Sequence, residues 1–160
     1  MFFRRRLNRP GLVWGIRESL TSYVASLPDG AISVDEGADF VPKVHPPRFW
    51  FPFVSHTERE AHFSGAASIS AHGGLLQVVA RDPWLHFAAN RTVLSLFSDG
   101  IDRRIQVAVV GTVDRAIQRA EMPAHLTVEG AAWLGPNYSP GDPVSSLTFR
   151  RPSTIDRRRR

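Results

Sequence analysis

The chain has 160 residues, of which 42% are hydrophobic, and its formal net charge is +5. This length is enough for one well-buried core but not for two independent ones, so a single domain is predicted. The absence of cysteine excludes disulfides and thiolate metal sites such as zinc ribbons and iron–sulfur clusters. No apolar run approaches the roughly 18 residues that a membrane-spanning helix needs, which argues against an integral membrane protein.

The positive charge is concentrated at the two ends of the chain. Residues 1–9 contain four arginines, and residues 150–160 contain six arginines and one aspartate, so the ends together carry +9. Residues 10–149 hold ten basic and fourteen acidic side chains, a net charge of −4. We therefore expect a basic N-terminal tail (1–10), one domain (11–150) and an arginine-rich C-terminal tail (151–160).

The first predicted element is an amphipathic helix over about residues 12–27. Apolar side chains recur there at helical spacing: Leu12, Ile16, Leu20, Tyr23, Val24 and Leu27. A proline, an aspartate and a glycine follow at 28–30 and end the helix. Tyr23 lies near the middle of the apolar stripe, so we expect its ring to point into the core.

Short β-prone segments separated by turn residues make up the rest of the chain. Nine are predicted, at residues 31–35, 49–55, 61–70, 75–80, 84–88, 92–97, 103–113, 125–133 and 144–150. This pattern indicates an all-β, mainly antiparallel fold, either a β-sandwich or a barrel-like sheet, with one N-terminal helix. Residues 115–121 are a candidate for a second short helix.

The usual catalytic signatures are absent, which favours a binding module over an enzyme. There is no nucleophile elbow, zinc-protease helix motif, phosphate-binding loop or dinucleotide-binding glycine motif. The six histidines, at 45, 56, 62, 72, 86 and 125, do not have the i, i+2 or i, i+4 spacing that places two metal ligands on one face. The sequence alone therefore predicts no compact zinc site.

Four segments together carry a resemblance to a known family. They are WGIRESLTSY (14–23), SAHGGL (70–75), DP (82–83) and NYSPGDPV (137–144). In this order and spacing they resemble the HtaA-domain family, haem-binding modules of actinobacterial haem-uptake proteins. Each segment is weak evidence alone, but the ordered set is fairly specific and covers about residues 11–150. The fold that the resemblance implies, antiparallel β with a few short helices, agrees with the strand pattern.

The resemblance also implies a haem site. The family tyrosine that binds haem iron is matched by Tyr23, and the histidine that supports this tyrosine is matched by His72. Tyr138 matches a later family tyrosine, for which only a supporting role is implied. The expected cofactor is ferric haem b with Tyr23 as axial ligand, and the expected partners are haem and another haem-transfer protein.

This pairing makes chemical sense for haem capture. An unperturbed tyrosine has a pKa of about 10, so a phenolate ligand needs stabilisation at neutral pH. Ferric iron and a histidine donor can provide it, and an anionic oxygen favours ferric over ferrous iron. A hydrogen bond from His72 would also orient the phenol. We therefore expect haem capture, transport or storage rather than oxygen chemistry.

The same residues also have structural interpretations. Tyr23 could simply pack in the core, and His72 could be an exposed turn residue. His62, in a predicted strand, is the alternative supporting histidine. Arg17 lies on another side of the predicted helix from Tyr23, so it is interpreted as a solvated side chain outside the site, with a propionate contact as the weaker alternative. Three aromatic groups are assigned to the core: Trp84, Trp133 and residues 49–51.

Two other function classes compete with haem binding. A β-sandwich interaction module could keep the fold and lose the haem. Clustered arginines at 4–6 and 157–160 could neutralise phosphates of a nucleic acid, but the acidic domain between them argues against this. The N-terminal residues lack the apolar run of a secretory signal, which predicts a cytoplasmic protein, whereas members of the family are usually secreted or displayed on the cell surface.

Overall fold

The computed structural model describes residues 8–42, 47–111 and 121–152. The strands in these ranges are β1 (Gly11–Trp14), β2 (Ala31–Asp35), β3 (Asp39–Val41), β4 (Arg48–His56), β5 (Glu60–Phe63), β6 (Ala66–Ala71), β7 (Leu76–Arg81), β8 (Trp84–Phe87), β9 (Thr92–Ser98), β10 (Arg103–Val110), β11 (Met122–Leu126) and β12 (Pro143–Arg150). The helices are α1 (Glu18–Ala25), α2 (Val128–Leu134) and a 3₁₀ turn (His72–Gly74). None of the helices in these ranges has the length and apolarity to cross a membrane.

Nine of the described strands form one antiparallel sheet in the order β1-β12-β11-β10-β9-β8-β5-β4-β3. The first eight of these make up its barrel-like part, and β3 adds to β4. The sheet closes because β1 pairs with both β12 and β4. All four residues of β1 are buried, and a Cβ on Gly11 would lie 2.4 Å from the carbonyl oxygen of Phe51, so only glycine allows this approach. The predicted all-β, mainly antiparallel fold is confirmed.

A separate three-stranded sheet, in the order β2-β6-β7, positions the candidate site. The strands β6 and β7 form a hairpin whose tip is the 3₁₀ turn His72–Gly74. The helix α1 contacts β2 and β6. This arrangement brings the hairpin tip towards the exposed side of α1.

The predicted helix over residues 12–27 is wrong in its N-terminal part. Residues 11–14 are the strand β1, and the helix occupies only Glu18–Ala25. Ile16, with a φ of 62°, lies between the two elements and interrupts regular backbone. When a short apolar segment is buried between two strands, its hydrophobic pattern does not distinguish a strand from a helix.

The expected inward orientation of Tyr23 is also wrong, because its ring is 46% exposed. The prediction placed Leu12 and Ile16 on the same helical stripe, but neither belongs to α1. The buried face of α1 consists of Leu20, Thr21 and Val24, and Tyr23 lies outside it. The shorter helix therefore turns a predicted core residue into a surface residue.

Two strand predictions also need correction. The predicted strand 125–133 is the end of β11 followed by α2, which begins after Thr127 because its hydroxyl accepts a hydrogen bond from the backbone N–H of Gly130. The predicted strand 61–70 is divided at Gly65, with a φ of 109°, into strands of different sheets. The strands β1 and β3 were not predicted. The candidate helix at 115–121 lies, except for Glu121, outside the described residues.

Candidate functional site

Tyr23 and His72 form a hydrogen-bonded pair between α1 and the tip of the β6–β7 hairpin. The phenol Oη of Tyr23 lies 2.8 Å from Nε2 of His72, and the ring centroids are 5.8 Å apart. His72 is exposed, as is Tyr23. The fold thus brings two residues 49 positions apart into contact at a place that a ligand can reach.

The hairpin tip holds His72 in a backbone conformation that favours glycine. The φ angles of His72, Gly73 and Gly74 are 54°, 62° and 93°. The backbone N–H of Gly73 donates a 3.0 Å hydrogen bond to Oδ2 of Asp29, in the loop after α1. For a non-glycine residue this region costs about 1–2 kcal/mol. The Asp29 hydrogen bond and the hairpin fix the tip, and with it His72, against α1.

Tyr138 lies at the other end of α1. Its ring is half-buried beneath the guanidinium of Arg17, which lies 5.0 Å from the ring centroid. Arg17 also donates hydrogen bonds to Oγ of Ser19, at 3.0 Å, and to the carbonyl oxygen of Pro143. The structure therefore brings Tyr23 and His72 together and places Tyr138 with Arg17. Arg17 is half-buried and makes these three contacts, whereas the sequence analysis predicted a solvated side chain.

A cavity of about 250 Å³ opens beside the first turn of α1. It is lined by Val13, Gly15, Glu18, Arg48, Glu121, Val144, Ser145, Ser146 and Thr148. Neither Tyr23 nor His72 contributes to it, and its volume is below the range of about 300–1,000 Å³ typical of small-molecule pockets. The Tyr23–His72 pair lies on a more open part of the surface.

A second polar cluster, the wall cluster, consists of Glu60, His62, Trp84, His86 and Arg104 on the outer side of the barrel-like sheet. Nε2 of His62 lies 2.7 Å from Oε2 of Glu60, and Nδ1 of His86 lies 3.5 Å from Oε1. The imidazole of His62 stacks on the indole of Trp84, with the ring centroids 3.6 Å apart. Trp84 is therefore on the outer face rather than in the core, because strand neighbours such as Leu85 occupy the inner face.

Arg104 completes the wall cluster. Its guanidinium lies 3.7 Å from the Trp84 ring centroid, its Nε donates a 3.1 Å hydrogen bond to Ser95, and another N–H donates to the carbonyl oxygen of Asp82. Burial lowers the pKa of Arg104 to about 10. Burial likewise lowers the pKa of His86, despite the nearby Glu60 carboxylate.

The partners of His62 separate it from the candidate site. A hydrogen bond from His62 is the main cause that lowers the pKa of Glu60. This interaction, together with stacking on Trp84, places His62 in the wall cluster rather than beside Tyr23. Within the described ranges, no three His, Asp or Glu side chains are arranged to hold a metal ion. We interpret the wall cluster as structural.

Comparison with known proteins identifies the family. The model of the family HtaA, described as Htaa, matches residues 10–150, most of the chain. The chain belongs to the HtaA family. No curated protein sequence matches it.

The fold is similar to two solved structures from Corynebacterium glutamicum. For the C-terminal domain of HtaA the TM-score is 0.69 at 18% identity, covering 89% of this chain and 95% of that one. For the haem-binding protein HtaB the TM-score is 0.65 at 17% identity, covering 86% and 89%.

The structure shows contacts for two residues that the sequence interpretation did not place in the site. Asp29 was interpreted only as part of a helix stop, yet its carboxylate holds the hairpin tip. Arg17 was left out of the site, yet it covers Tyr138. An aspartate in a turn is a recognisable signal for backbone capping, but its partner here is 44 residues away and only the fold reveals it.

Proposed function

We propose that this chain binds ferric haem b, with Tyr23 as the axial ligand and His72 as the partner of its phenol oxygen. The observation that carries the proposal is the exposed 2.8 Å hydrogen bond between Tyr23 and His72 in a chain of the HtaA family. HtaB of Corynebacterium glutamicum, which shares the fold, is a haem-binding protein. This likeness supports haem as the ligand class.

The geometry of the pair suits an anionic oxygen ligand. A phenol that keeps its proton is a weak ligand for iron, and a nearby imidazole can accept that proton or donate a hydrogen bond to the phenolate. His72 lies at the required distance, and its backbone is fixed by the hairpin tip. The exposed Tyr23 leaves its oxygen accessible to a ligand.

The pair fits haem better than a bare metal ion. One phenolate with one imidazole is too small a ligand set for a free zinc ion, which takes four ligands in structural sites. A porphyrin brings its own four nitrogens and needs only an axial ligand from the protein, and tyrosine is an established axial ligand. When bound, haem would supply a ferric ion that prefers an anionic oxygen. The protein residues would hold and orient it.

The start of α1 supplies polar groups for the propionates. Ser19 lies about one helical turn before Tyr23, a rise of roughly 6 Å at 1.5 Å per residue, and Arg17 directly precedes the helix. Their hydrogen bond and the position of Arg17 over Tyr138 gather a guanidinium, a hydroxyl and a phenol at one place. Such groups bind carboxylates well. This is the supporting role that we propose for Tyr138.

The exposed position of the Tyr23–His72 pair favours capture and transfer of haem over permanent storage of it. Tyr23 is 46% exposed and His72 is exposed, so a bound haem would remain accessible to a second protein. We therefore propose another haem-transfer protein as partner. The proposed activity is binding rather than catalysis.

Absorption spectroscopy tests the proposal directly. Purified protein is titrated with ferric haem, and we expect a Soret band with the charge-transfer bands of a ferric tyrosinate complex. Tyr23→Phe should remove this signature. Tyr138→Phe is the matched control, because it removes the only other phenol of the chain and should leave the tyrosinate bands in place.

The alternatives are outcomes of the same titration. If the Soret band in the presence of wild-type protein stays that of free haem, the protein is an interaction module without haem. Wild-type spectra and affinity in Tyr23→Phe would exclude the proposed ligand. If the protein binds DNA, and deletion of residues 151–160 weakens this binding, the nucleic-acid hypothesis is supported.

A further inference from the structure

Leu75 is the most exposed large hydrophobic residue of the described chain. Its side chain is 93% exposed, compared with 46% to 73% for the other four: Tyr23, Val54, Ile101 and Val128. Single exposed apolar residues are normal on protein surfaces. Leu75 differs because it directly follows the turn that carries His72, so the most exposed apolar side chain adjoins the candidate ligand pair.

The hairpin tip fixes Leu75 beside His72. The backbone N–H of Leu75 donates a 3.1 Å hydrogen bond to the carbonyl oxygen of His72. A turn closed in this way keeps the two Cα atoms within about 7 Å. Leu75 is therefore bonded through its backbone to His72, the residue whose imidazole contacts the phenol of the proposed iron ligand.

The surface between His72 and Leu75 is open. A Cβ placed on Gly73 or on Gly74 would meet no atom of the described chain within 4 Å. Two glycines with open space above them allow a flat ligand to approach the backbone closely. The patch thus combines a hydrogen-bonded phenol, a smooth backbone and one projecting apolar side chain.

We infer that Leu75 is an apolar contact of the porphyrin ring and that the hairpin tip is one wall of the haem site. This inference rests on the proposed function. A porphyrin has apolar faces and edges, and its burial against leucine removes apolar area from water. The acceptor protein of haem transfer is the competing occupant. Haem is favoured because Leu75 shares its turn with His72, which touches the proposed ligand.

The inference is tested by replacing Leu75 and measuring haem affinity. Leu75→Ser should raise the haem Kd about tenfold, because burial of most of a leucine side chain contributes on that scale. The tyrosinate bands should persist, since Tyr23 and His72 are intact. Leu75→Met retains apolar contact and should bind within about threefold of wild type. The melting temperature of the haem-free protein should not change, because Leu75 is already exposed.

Ile101→Ser is the matched control. Ile101 is 55% exposed and follows β9, so its replacement makes the same chemical change away from the hairpin tip. We expect no change in haem affinity. Iron-free protoporphyrin adds a second readout: Leu75→Ser should weaken its binding, whereas Tyr23→Phe should not, because no iron is present for the phenol to bind.

The outcomes separate this inference from the proposed function. If Tyr23→Phe loses haem and Leu75→Ser binds haem and protoporphyrin like wild type, the inference is wrong and the proposed function stands. If the affinities for haem and protoporphyrin are unchanged but transfer of haem to the haem-free C-terminal domain of HtaA is slower, Leu75 contacts the acceptor protein and the inference is also wrong. If Tyr23→Phe binds like wild type, the proposed function itself fails.

Discussion

The Tyr23–His72 pair and the wall cluster both contain a histidine hydrogen-bonded to an oxygen side chain, but their surroundings differ. In the wall cluster, His62 contacts Glu60 and stacks on Trp84. At the hairpin tip, His72 contacts the phenol of Tyr23 in an exposed position, and its backbone lies in the left-handed region. Dense mutual contacts indicate a structural role, whereas exposure with local strain indicates a binding role.

This difference makes opposite predictions for stability and for ligand binding. Residues of the wall cluster should affect unfolding and leave haem affinity unchanged. Side chains of the hairpin tip should affect haem affinity, and their replacement should affect unfolding only through the backbone strain at His72. Four experiments test this difference.

Arg104→Ala should have the largest effect on stability. It removes hydrogen bonds to Ser95 and to the carbonyl oxygen of Asp82, and the cation–π contact with Trp84, so we expect a loss of about 2–4 kcal/mol. Denaturant unfolding measures it. Arg103→Ala is the control. It removes an exposed 3.6 Å ion pair with Glu129 and a long, exposed 3.5 Å hydrogen bond to the carbonyl oxygen of Arg104, and it should cost less than about 0.5 kcal/mol. If Arg104→Ala and Arg103→Ala lose the same free energy of unfolding, the structural role assigned to the wall cluster is wrong.

His72→Ala should weaken haem binding by about 10- to 100-fold, the usual effect of losing a residue that orients a metal ligand. Its Kd is compared with that of His62→Ala by Soret titration. His62→Ala should bind like wild type, because His62 contacts Glu60 and Trp84. If His62→Ala weakens haem binding and His72→Ala does not, His62 is the supporting histidine.

His72→Gly should be more stable than His72→Ala by about 1 kcal/mol. Both variants lack the imidazole, but glycine adopts the φ of 54° without the Cβ strain that alanine retains. Thermal unfolding of the haem-free proteins measures the difference. Equal stabilities would mean that the tip relaxes and stores no strain at this position.

His86 should give the smallest effect, seen in the pH dependence of unfolding. Burial lowers its pKa in the folded protein, so below pH 6.5 the unfolded chain binds the proton more readily. The free energy of unfolding should therefore fall as the pH decreases from about 7.5 to 5.5. Water screens this half-exposed group, so we expect about 0.5 kcal/mol.

The control for the pH experiment is His86→Gln, which cannot titrate. Its unfolding free energy should fall less steeply over the same pH range. The pKa of Glu60 is lowered below 4.5, so its contribution is lost only at more acidic pH. An identical pH dependence in wild type and His86→Gln would show that His86 does not contribute.

Local sequence patterns predicted most strands but failed at their junctions. The strand Ala31–Asp35 was predicted with its observed bounds because turn residues flank it and its residues alternate in burial. The strand β1 was missed because its burial depends on two partners distant in sequence. The start of α2 carried a local signal, Thr127, that the β-prone interpretation overlooked.

From the sequence we could predict a strand-rich fold, an acidic region between basic ends, and a resemblance of four ordered segments to the HtaA family. The same segments pointed to Tyr23 and His72. The outward position of Tyr23 and the hydrogen bond from the hairpin tip to Asp29 depend on the tertiary structure. It also separated Tyr138 from the Tyr23–His72 pair. The physical reason is that side-chain direction depends on where a helix begins, and that contacts across 44 or 49 residues depend on strand pairing rather than on local propensity.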